Sequence, residues 1–282
     1  MENLFRDYTD QTANHAATLK EILFATQKAV AARREATDRA ELDFRAEKHV
    51  PRGFRRALEQ AGEKGGWAVI AELKKASPSK GVLCGNFPVA RLAVELEQAG
   101  AAALSVVTEE KFFEGSLGNL SEASTASRLP CLRKDFILEE YQLLEARAYG
   151  ADAVLLIASV LPVGQLTALT AKSHEMGLEV LCEVHDHREL QVATAAGCDM
   201  IGVNNRDLHT FQVDMGTALR LGPAIRGPAL RVAESGIQSA ADLHKLRAAG
   251  YHAFLIGGFL MTAESPGEAL KRLLAGARTH VE

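Results

Sequence analysis

The 282-residue sequence predicts an α/β protein, a (βα)8 TIM barrel with an N-terminal helical extension. Three observations carry that prediction: eight short apolar segments, helix-period runs between them, and a cassette that recurs at a regular interval. Strands that are apolar nearly throughout and separated by helices specify a parallel sheet covered on both faces. Eight such units joined by right-handed crossovers close into a barrel. An open doubly wound sheet is the competing architecture, but no G-x-G-x-x-G follows the first strand.

The strand segments are 68–74, 104–108, 131–136, 154–158, 180–184, 201–205, 230–235 and 254–258. Four times a helical run ends in glycine and an apolar strand follows: LEQAG-AAALSVV, EARAYG-ADAVLLIA, ATAAG-CDMIGVN and LRAAG-YHAFLIG. The glycines, Gly100, Gly150, Gly197 and Gly250, suit left-handed helix C-caps and are spaced by 50, 47 and 53 residues. A strand between each pair halves the repeat to about 25, the length of one strand–helix unit. Helical spacing predicts helices over 88–98, 139–149, 162–176, 187–196, 215–224, 240–249 and 266–276, with a weaker, serine-rich one over 117–128. In the first of these, Val89, Leu92, Ala93 and Leu96 form the apolar stripe. Asp242 and His244 are expected on a solvated helix face.

Before the first strand, 14–47 reads as one long helix and 52–62 as a short one. Residues 1–66 are therefore expected to form an extension packed on the barrel, at its floor or beside its mouth, with no separate function. Residues 67–282 are expected to form a single catalytic domain.

Composition narrows the class. With 47% hydrophobic and 24% charged residues the chain is an ordinary globular protein. A formal net charge of −4 argues against nucleic-acid binding, which needs a basic field. Cys84, Cys131, Cys182 and Cys198 form no C-x-x-C pair, so they are expected as buried reduced thiols, with no metal site. The opening MENLFRDYTD lacks the apolar core of a signal peptide, and no apolar run approaches the ~18 residues of a membrane span. A cytoplasmic enzyme is the expectation.

Four charges interrupt the apolar strands: Glu72 and Lys74 in the first, Lys134 in the third, Glu183 in the fifth. A charge in such a strand is costly unless paired or used. Period-two alternation puts Glu72 with Lys74, Lys134 with Phe136, and Leu181 with Glu183 on common faces. Pointing inward at the C-terminal mouth, where barrel active sites lie, these groups converge on one pocket. The competing reading makes them structural ion pairs or turns some outward. The loop 75–81, KASPSKG, is either a lid carrying Ser77 or an ordinary exposed loop. The last two strands end in Glu234-Ser235-Gly236 and Gly257-Gly258, where bare backbone N–H groups can approach a phosphate; tight turns are the plainer explanation. Asn204 and Arg206 supply an amide and a cation nearby, which favours a sugar phosphate over an apolar ligand.

The stretches AELKKASPSKG, LSVVTEEKFFEGS, CLRKDFILEEYQLLEARAYGADAVLLI, CEVHD, IGVNNRDL, VAESGI and FLIGGFLM together closely resemble the indole-3-glycerol phosphate synthase family. The resemblance runs from about Trp67 to the C-terminus, and the helical extension is also like that family's. It implies a carboxy-lyase of tryptophan biosynthesis. The substrate would be 1-(2-carboxyphenylamino)-1-deoxyribulose 5-phosphate, which undergoes ring closure, decarboxylation and dehydration without cofactor or metal. By the same resemblance Lys134 would be the general acid for ring closure. Lys74 would bind the substrate carboxylate and serve as acid for loss of the hydroxyl. Glu183 would act as base or stabilise the cationic nitrogen, while Glu72 and Asn204 orient substrate and lysines. Phe113 and Phe136 would wall the aromatic ring. Ser77, Ser235, Gly236, Gly257 and Gly258 would hold the phosphate, and Arg206 would lie beside the ribulose hydroxyls. Gly258 stands where many members of that family carry serine or a larger residue, so only its backbone N–H can contribute.

Two other readings remain at this point. One is another phosphate-binding barrel enzyme, such as an isomerase of a phosphoribosyl intermediate; those rely on acidic residues and cysteine, whereas two lysines dominate here. The other is a silent barrel that binds a ligand or partner, which loss of Lys74, Lys134 or Glu183 would favour. A sugar-phosphate substrate is the expected partner, with no nucleic acid and no membrane. A monomer is expected, with pairing through apolar residues of the extension as the alternative.

Overall fold

The computed structural model describes residues 17–63 and 66–279. Three helices, α1 (Leu19–Ala36), α2 (Arg39–Lys48) and α3 (Phe54–Glu63), precede β1 (Ala68–Leu73). A small antiparallel hairpin, β2 (Ala76–Ser77) and β3 (Gly81–Val82), follows it. The remaining strands are β4 (Ala103–Val107), β5 (Cys131–Lys134), β6 (Ala153–Ile157), β7 (Glu179–Val184), β8 (Met200–Asn204), β9 (Leu230–Glu234) and β10 (Ala253–Ile256). With β1 they close a barrel in chain order, every neighbouring pair parallel. Between them lie α4 (Val89–Gln98), α5 (Leu117–Ala126), α6 (Glu140–Ala148), α7 (Val163–Glu175), α8 (His187–Ala195), α9 (Gly216–Leu221) and α10 (Ala240–Ala248); α11 (Gly258–Met261) and α12 (Pro266–Thr279) end the fold. All eight expected barrel strands are present, displaced by two residues at most at either end.

The recurrent glycines take the backbone their position demands. Gly100, Gly150, Gly197 and Gly250 have φ of 98°, 89°, 72° and 93°, a region that side chains resist.

The extension differs from a single long helix. Its helical pattern breaks at Thr37-Asp38, because the Asp38 carboxylate accepts the Ala40 N–H (2.9 Å) and caps a second helix. Residues 14–16 of the expected helix lie outside the described residues. The turn lets Leu42 and Ala46 of α2 pack on Tyr141, Leu144 and Ala148 of α6. Segment 75–81 is likewise not a plain loop: Ala76 pairs with Val82, and Ala76 N–H donates to the Phe113 carbonyl (3.2 Å). The expected helix over 215–224 ends at Leu221 and finishes as a 3-10 turn at Gly222–Ala224.

The floor of the barrel is closed by α3. Four strands begin their inward face with alanine (Ala68, Ala103, Ala153 and Ala253), and Phe54 and Leu58 share one apolar cluster with them. Arg52 anchors this end, donating to the buried Asp152 carboxylate from Nε (3.0 Å) and Nη2 (2.6 Å). The extension therefore serves both ends: α3 closes the floor, while Leu19 and Ile22 of α1 reach the cavity at the mouth.

Phe54 is fully buried, so Phe54→Ala should cost about 3–5 kcal/mol in urea denaturation. A loss below about 1 kcal/mol would mean that α3 does not close the floor.

Candidate active site

A cavity of about 600 Å³ opens at the C-terminal ends of the strands. Every residue the sequence nominated lines it: Glu72, Lys74, Ser77, Phe113, Lys134, Phe136, Glu183, Asn204, Arg206, Ser235, Gly236, Gly257 and Gly258.

Its base is a buried charge cluster. Lys134 Nζ lies 2.8 Å from Glu183 Oε2 and 3.7 Å from Glu234 Oε2. Burial alone would lower the Lys134 pKa, but the charges of Glu183, Glu234 and Glu72 outweigh it and raise it, so the amine stays an ammonium. Burial pushes Glu183 the other way, yet Lys134 and His185 hold its carboxyl well below the usual range. Lys74 forms an ion pair with Glu72 beside this group. The ion pairs contemplated from sequence are real, and they line the cavity.

Glu234 was not singled out from the sequence, where it was read only as part of a glycine-ended turn. It is buried, and neither carboxylate oxygen has a hydrogen-bond partner among the described residues. Burial, reinforced by Glu183 and Glu72 and opposed by Lys134, raises its pKa to about 8. A signal was available. In a barrel, alternate strands contribute one layer of inward side chains, and Glu72, Lys134 and Glu183 come from the first, third and fifth strands. The seventh strand is β9, and Glu234 ends it.

Two glycines make room for this layer. A side chain at Gly202 would collide with Glu234 Oε1, and one at Gly257 would collide with Glu72 Oε1. Gly257 thus has a packing reason beyond the tight turn read from sequence. Gly258 faces open space. At the end of β9, Ser235 (φ 63°) and Gly236 (φ 85°) form a left-handed pair. The Asn205 side chain steadies it, donating to the Ser235 carbonyl (3.0 Å) and accepting the Ala218 N–H (2.9 Å). Arg206 N–H donates to Asn204 Oδ1 (2.9 Å), and its guanidinium donates to the Phe211 carbonyl (2.7 Å).

One wall is apolar. The rings of Phe113 and Phe136 lie 6.4 Å apart at 47°, with Leu19, Ile22 and Ile157 nearby in the lining. Glu109, also missed from sequence, holds the loop that presents Phe113: its carboxylate accepts the N–H groups of Phe112 (2.7 Å), Phe113 (3.0 Å) and Lys111 (3.2 Å).

Three smaller expectations are corrected. Asp242 is half-buried as the partner of Ser239 in a capping box and reaches the cavity lining, because α10 starts at the mouth. His244 is not on a solvated face; it packs edge-on against Trp67 at 4.9 Å. Cys84 is half-buried rather than buried, donating to the Asn86 carbonyl on an exposed turn.

Residues 19–273 match the family model for indole-3-glycerol phosphate synthase, which takes in the extension as well as the barrel. This chain belongs to the indole-3-glycerol phosphate synthase family. A relative of that name from Koribacter versatilis (strain Ellin345) is 54% identical over 259 residues, covering 92% of this chain and 99% of the relative. Another from Chromobacterium violaceum is 45% identical over 245 residues, covering 87% and 91%. Among solved structures, 3-hexulose-6-phosphate synthase from Salmonella typhimurium superposes with a TM-score of 0.58 at 14% identity, covering 76% of this chain and 99% of that one. Thiamine phosphate pyrophosphorylase from Pyrococcus furiosus gives 0.57 at 15% identity, covering 77% and 97%. These two likenesses concern the barrel fold alone.

As an indole-3-glycerol phosphate synthase the chain is a decarboxylating lyase of tryptophan biosynthesis and acts on a phosphate-bearing small molecule. Among the described residues no helix is long and apolar enough to cross a membrane.

Glu234 gives this synthase a pH signature in stability. The folded protein keeps a proton on it up to about pH 8, whereas the unfolded chain releases it above an ordinary value of 4.5. Native protein therefore binds the extra proton between these limits, and stability falls as pH rises through them, by up to about 1.4 kcal/mol per pH unit. Glu234→Gln lacks this penalty, so its urea midpoint should gain on wild type from pH 5 to pH 8. A difference constant with pH would show that Glu234 stays ionised in the fold.

Proposed function

We propose that the buried charge layer carries out the family reaction on 1-(2-carboxyphenylamino)-1-deoxyribulose 5-phosphate, with each residue in a distinct role. The ring carbon bearing the carboxylate attacks the ribulose carbonyl carbon, and Lys134 donates the proton that the carbonyl oxygen gains. Carbon dioxide then leaves, its bonding electrons returning to the ring system. Loss of the new hydroxyl as water gives the indole.

The observation that carries this reading is the environment of Lys134. The charges around it, led by that of Glu183, keep it an ammonium, which both stabilises a developing alkoxide and protonates it, the alkoxide being far more basic than an amine. Lys74 binds the substrate carboxylate and later protonates the departing hydroxyl. Glu183, held anionic, takes the proton released from the cationic intermediate or stabilises its nitrogen. Glu72 orients Lys74, with which it is paired, and Asn204 orients the substrate. Phe113 and Phe136 enclose the anthranilate ring, and Arg206 lies beside the ribulose hydroxyls. The backbone at Ser235, Gly236, Gly257 and Gly258, with Ser77 from the hairpin, receives the phosphate; the left-handed Ser235-Gly236 pair supports this, since consecutive N–H groups in such turns form an anion-binding concavity.

Residues 67–282 act as one catalytic domain in this reading, with 1–66 packed on it as an extension. The reaction requires no metal or cofactor. The enzyme works as a cytoplasmic monomer.

Purified protein given the carboxyphenylamino-deoxyribulose phosphate, with no metal or cofactor added, should develop indole fluorescence. Lys134→Met should reduce turnover by about 10³-fold or more while the folded protein still binds product. Turnover near wild type would remove Lys134 from the mechanism. Glu183→Gln should cost about 10²-fold in kcat, and unchanged kinetics would make Glu183 a structural partner only. Inorganic phosphate should compete with substrate; no competition at high concentration would place the phosphate elsewhere.

A further inference from the structure

His185 follows Glu183 by two residues, so the same alternation that turns Glu183 into the cavity turns His185 toward the mouth. Its ring is clasped from one side by α8. Asp186 caps that helix through the Glu189 N–H (2.8 Å), and Glu189, in the first turn, reaches back. Glu189 Oε2 accepts both the backbone N–H of His185 (2.7 Å) and its ring Nδ1 (3.0 Å). That double contact fixes the ring plane and places the proton on Nδ1. The other nitrogen, Nε2, then lies 3.5 Å from Glu183 Oε1. The second oxygen of that carboxylate is already taken by Lys134 at 2.8 Å.

We propose that His185 is a positioning residue: an imidazolium bridging Glu189 and Glu183 that fixes the Glu183 carboxylate opposite Lys134 for the proposed reaction. This inference rests on the role given to Glu183 above.

The electrostatics agree with the geometry. A neutral imidazole donating from Nδ1 would turn the Nε2 lone pair toward a carboxylate oxygen, which is unfavourable; a proton on Nε2 removes the conflict. Burial lowers the His185 pKa, but Glu183 and Glu189 together overcome it and raise the value to about 10. The titratable and charged groups that act on this region are Glu183 of β7, Glu189 of α8, Lys134 of β5 and Glu234 of β9. Both carboxylates nearest the ring carry charge opposite to it. The ring also restrains Glu183 where Lys134 does not: one cation on each oxygen leaves the carboxyl plane little freedom to rotate. His185 does not line the cavity, so it acts through Glu183 and does not touch substrate.

His185→Gln keeps a neutral donor and leaves the backbone N–H that Glu189 accepts, so the cap of α8 survives. In the indole fluorescence assay it should lower kcat about 10-fold or more with KM within about 3-fold of wild type. In the Glu183→Gln background the same change should cost less than about 2-fold, because the residue through which it acts is already disabled. Equal losses in both backgrounds, or unchanged kcat in the single variant, would overturn the proposal. Glu189→Gln, which weakens the clasp without removing the ring, should fall between wild type and His185→Gln.

A second measurement needs no turnover. In histidine-selective ¹⁵N NMR, with His185→Gln identifying the signal, the ring should remain doubly protonated at pH 8 and titrate lower in Glu183→Gln. Titration near the ordinary 6.5 in wild type would overturn the ion-pair bridge. If wild type forms no indole while the ring stays protonated, the bridge stands and the reaction assignment falls.

Discussion

Everything at the mouth of this barrel depends on one buried ammonium and the carboxylates that surround it. Isolated in an apolar barrel, Lys134 would be driven to its neutral form. The surrounding negative charge, that of Glu183 foremost, reverses that preference. Its neighbours Glu183, Glu234 and Glu72 sit on different strands, so the cluster forms only when the first, third, fifth and seventh strands are in register. One layer of four inward side chains, one from each alternate strand, is the ordinary way a small barrel fills its interior. Here the top layer is ionic where the layers beneath it, such as Ile70, Leu132, Leu181 and Val232, are apolar. The intervening strands yield space to it: Gly202 of β8 and the Gly257 that follows β10 lie against the carboxylates of Glu234 and Glu72. Removing one partner would leave the others with unpaired buried charge, which is why such clusters are fragile to single substitutions.

The outer face of the same strand explains how Lys134 is kept inward. Its neighbours Arg133 and Asp135 point the opposite way, into the layer between barrel and helices. Arg133 is fully buried and reaches Asp135 Oδ2 at 2.9 Å and Glu145 Oε2 of α6 at 3.2 Å. Asp135 also accepts from Thr108 of the preceding strand unit (2.6 Å), and Glu145 in turn binds Arg33 of α1 at 2.6 Å. A rotation of β5 that withdrew Lys134 from the cavity would have to break this second network. Through Arg33 the extension is tied to the strand that bears the ammonium, and the same helix α1 sends Leu19 and Ile22 to the cavity wall. The extension is therefore part of the active-site architecture rather than a cover on it.

Much of this was legible in the sequence, and the parts that were not have definite physical causes. The eight strands were legible because a parallel barrel buries both faces and so writes near-continuous apolar runs. Lys74, Lys134 and Glu183 stood out because charge in such a run is conspicuous. Glu234 did not, because VAES places its carboxylate next to a serine and a glycine, where a polar residue looks like the start of a turn. Only the alternation of strands around the barrel marks it. His185 and Glu109 escaped for a related reason: both lie just past a strand end, in polar surroundings, and their roles come from partners in space, a Lys134-bound carboxylate for one and three backbone N–H groups for the other. The break in the extension turned on one capping aspartate, which a helical pattern averaged over many residues hides.

The pairing of opposite charges also bears on how the proposed reaction begins. Before substrate arrives, Lys74 is satisfied by Glu72 and Lys134 by Glu183. Substrate brings its own carboxylate and phosphate, so its arrival adds anionic charge to a layer that already holds three carboxyl groups. Glu234, with a pKa near 8, relieves part of that excess by staying protonated at neutral pH. A neutral carboxyl can donate a hydrogen bond where an ionised one repels an anion. Loss of carbon dioxide eases the same crowding without changing the net charge, because the gas leaves neutral and the electron pair left behind cancels the positive charge on the ring nitrogen. A site built from two lysines and three carboxyl groups, one of them neutral, can thus accept a ligand with two anionic groups without surrendering the ammonium on Lys134.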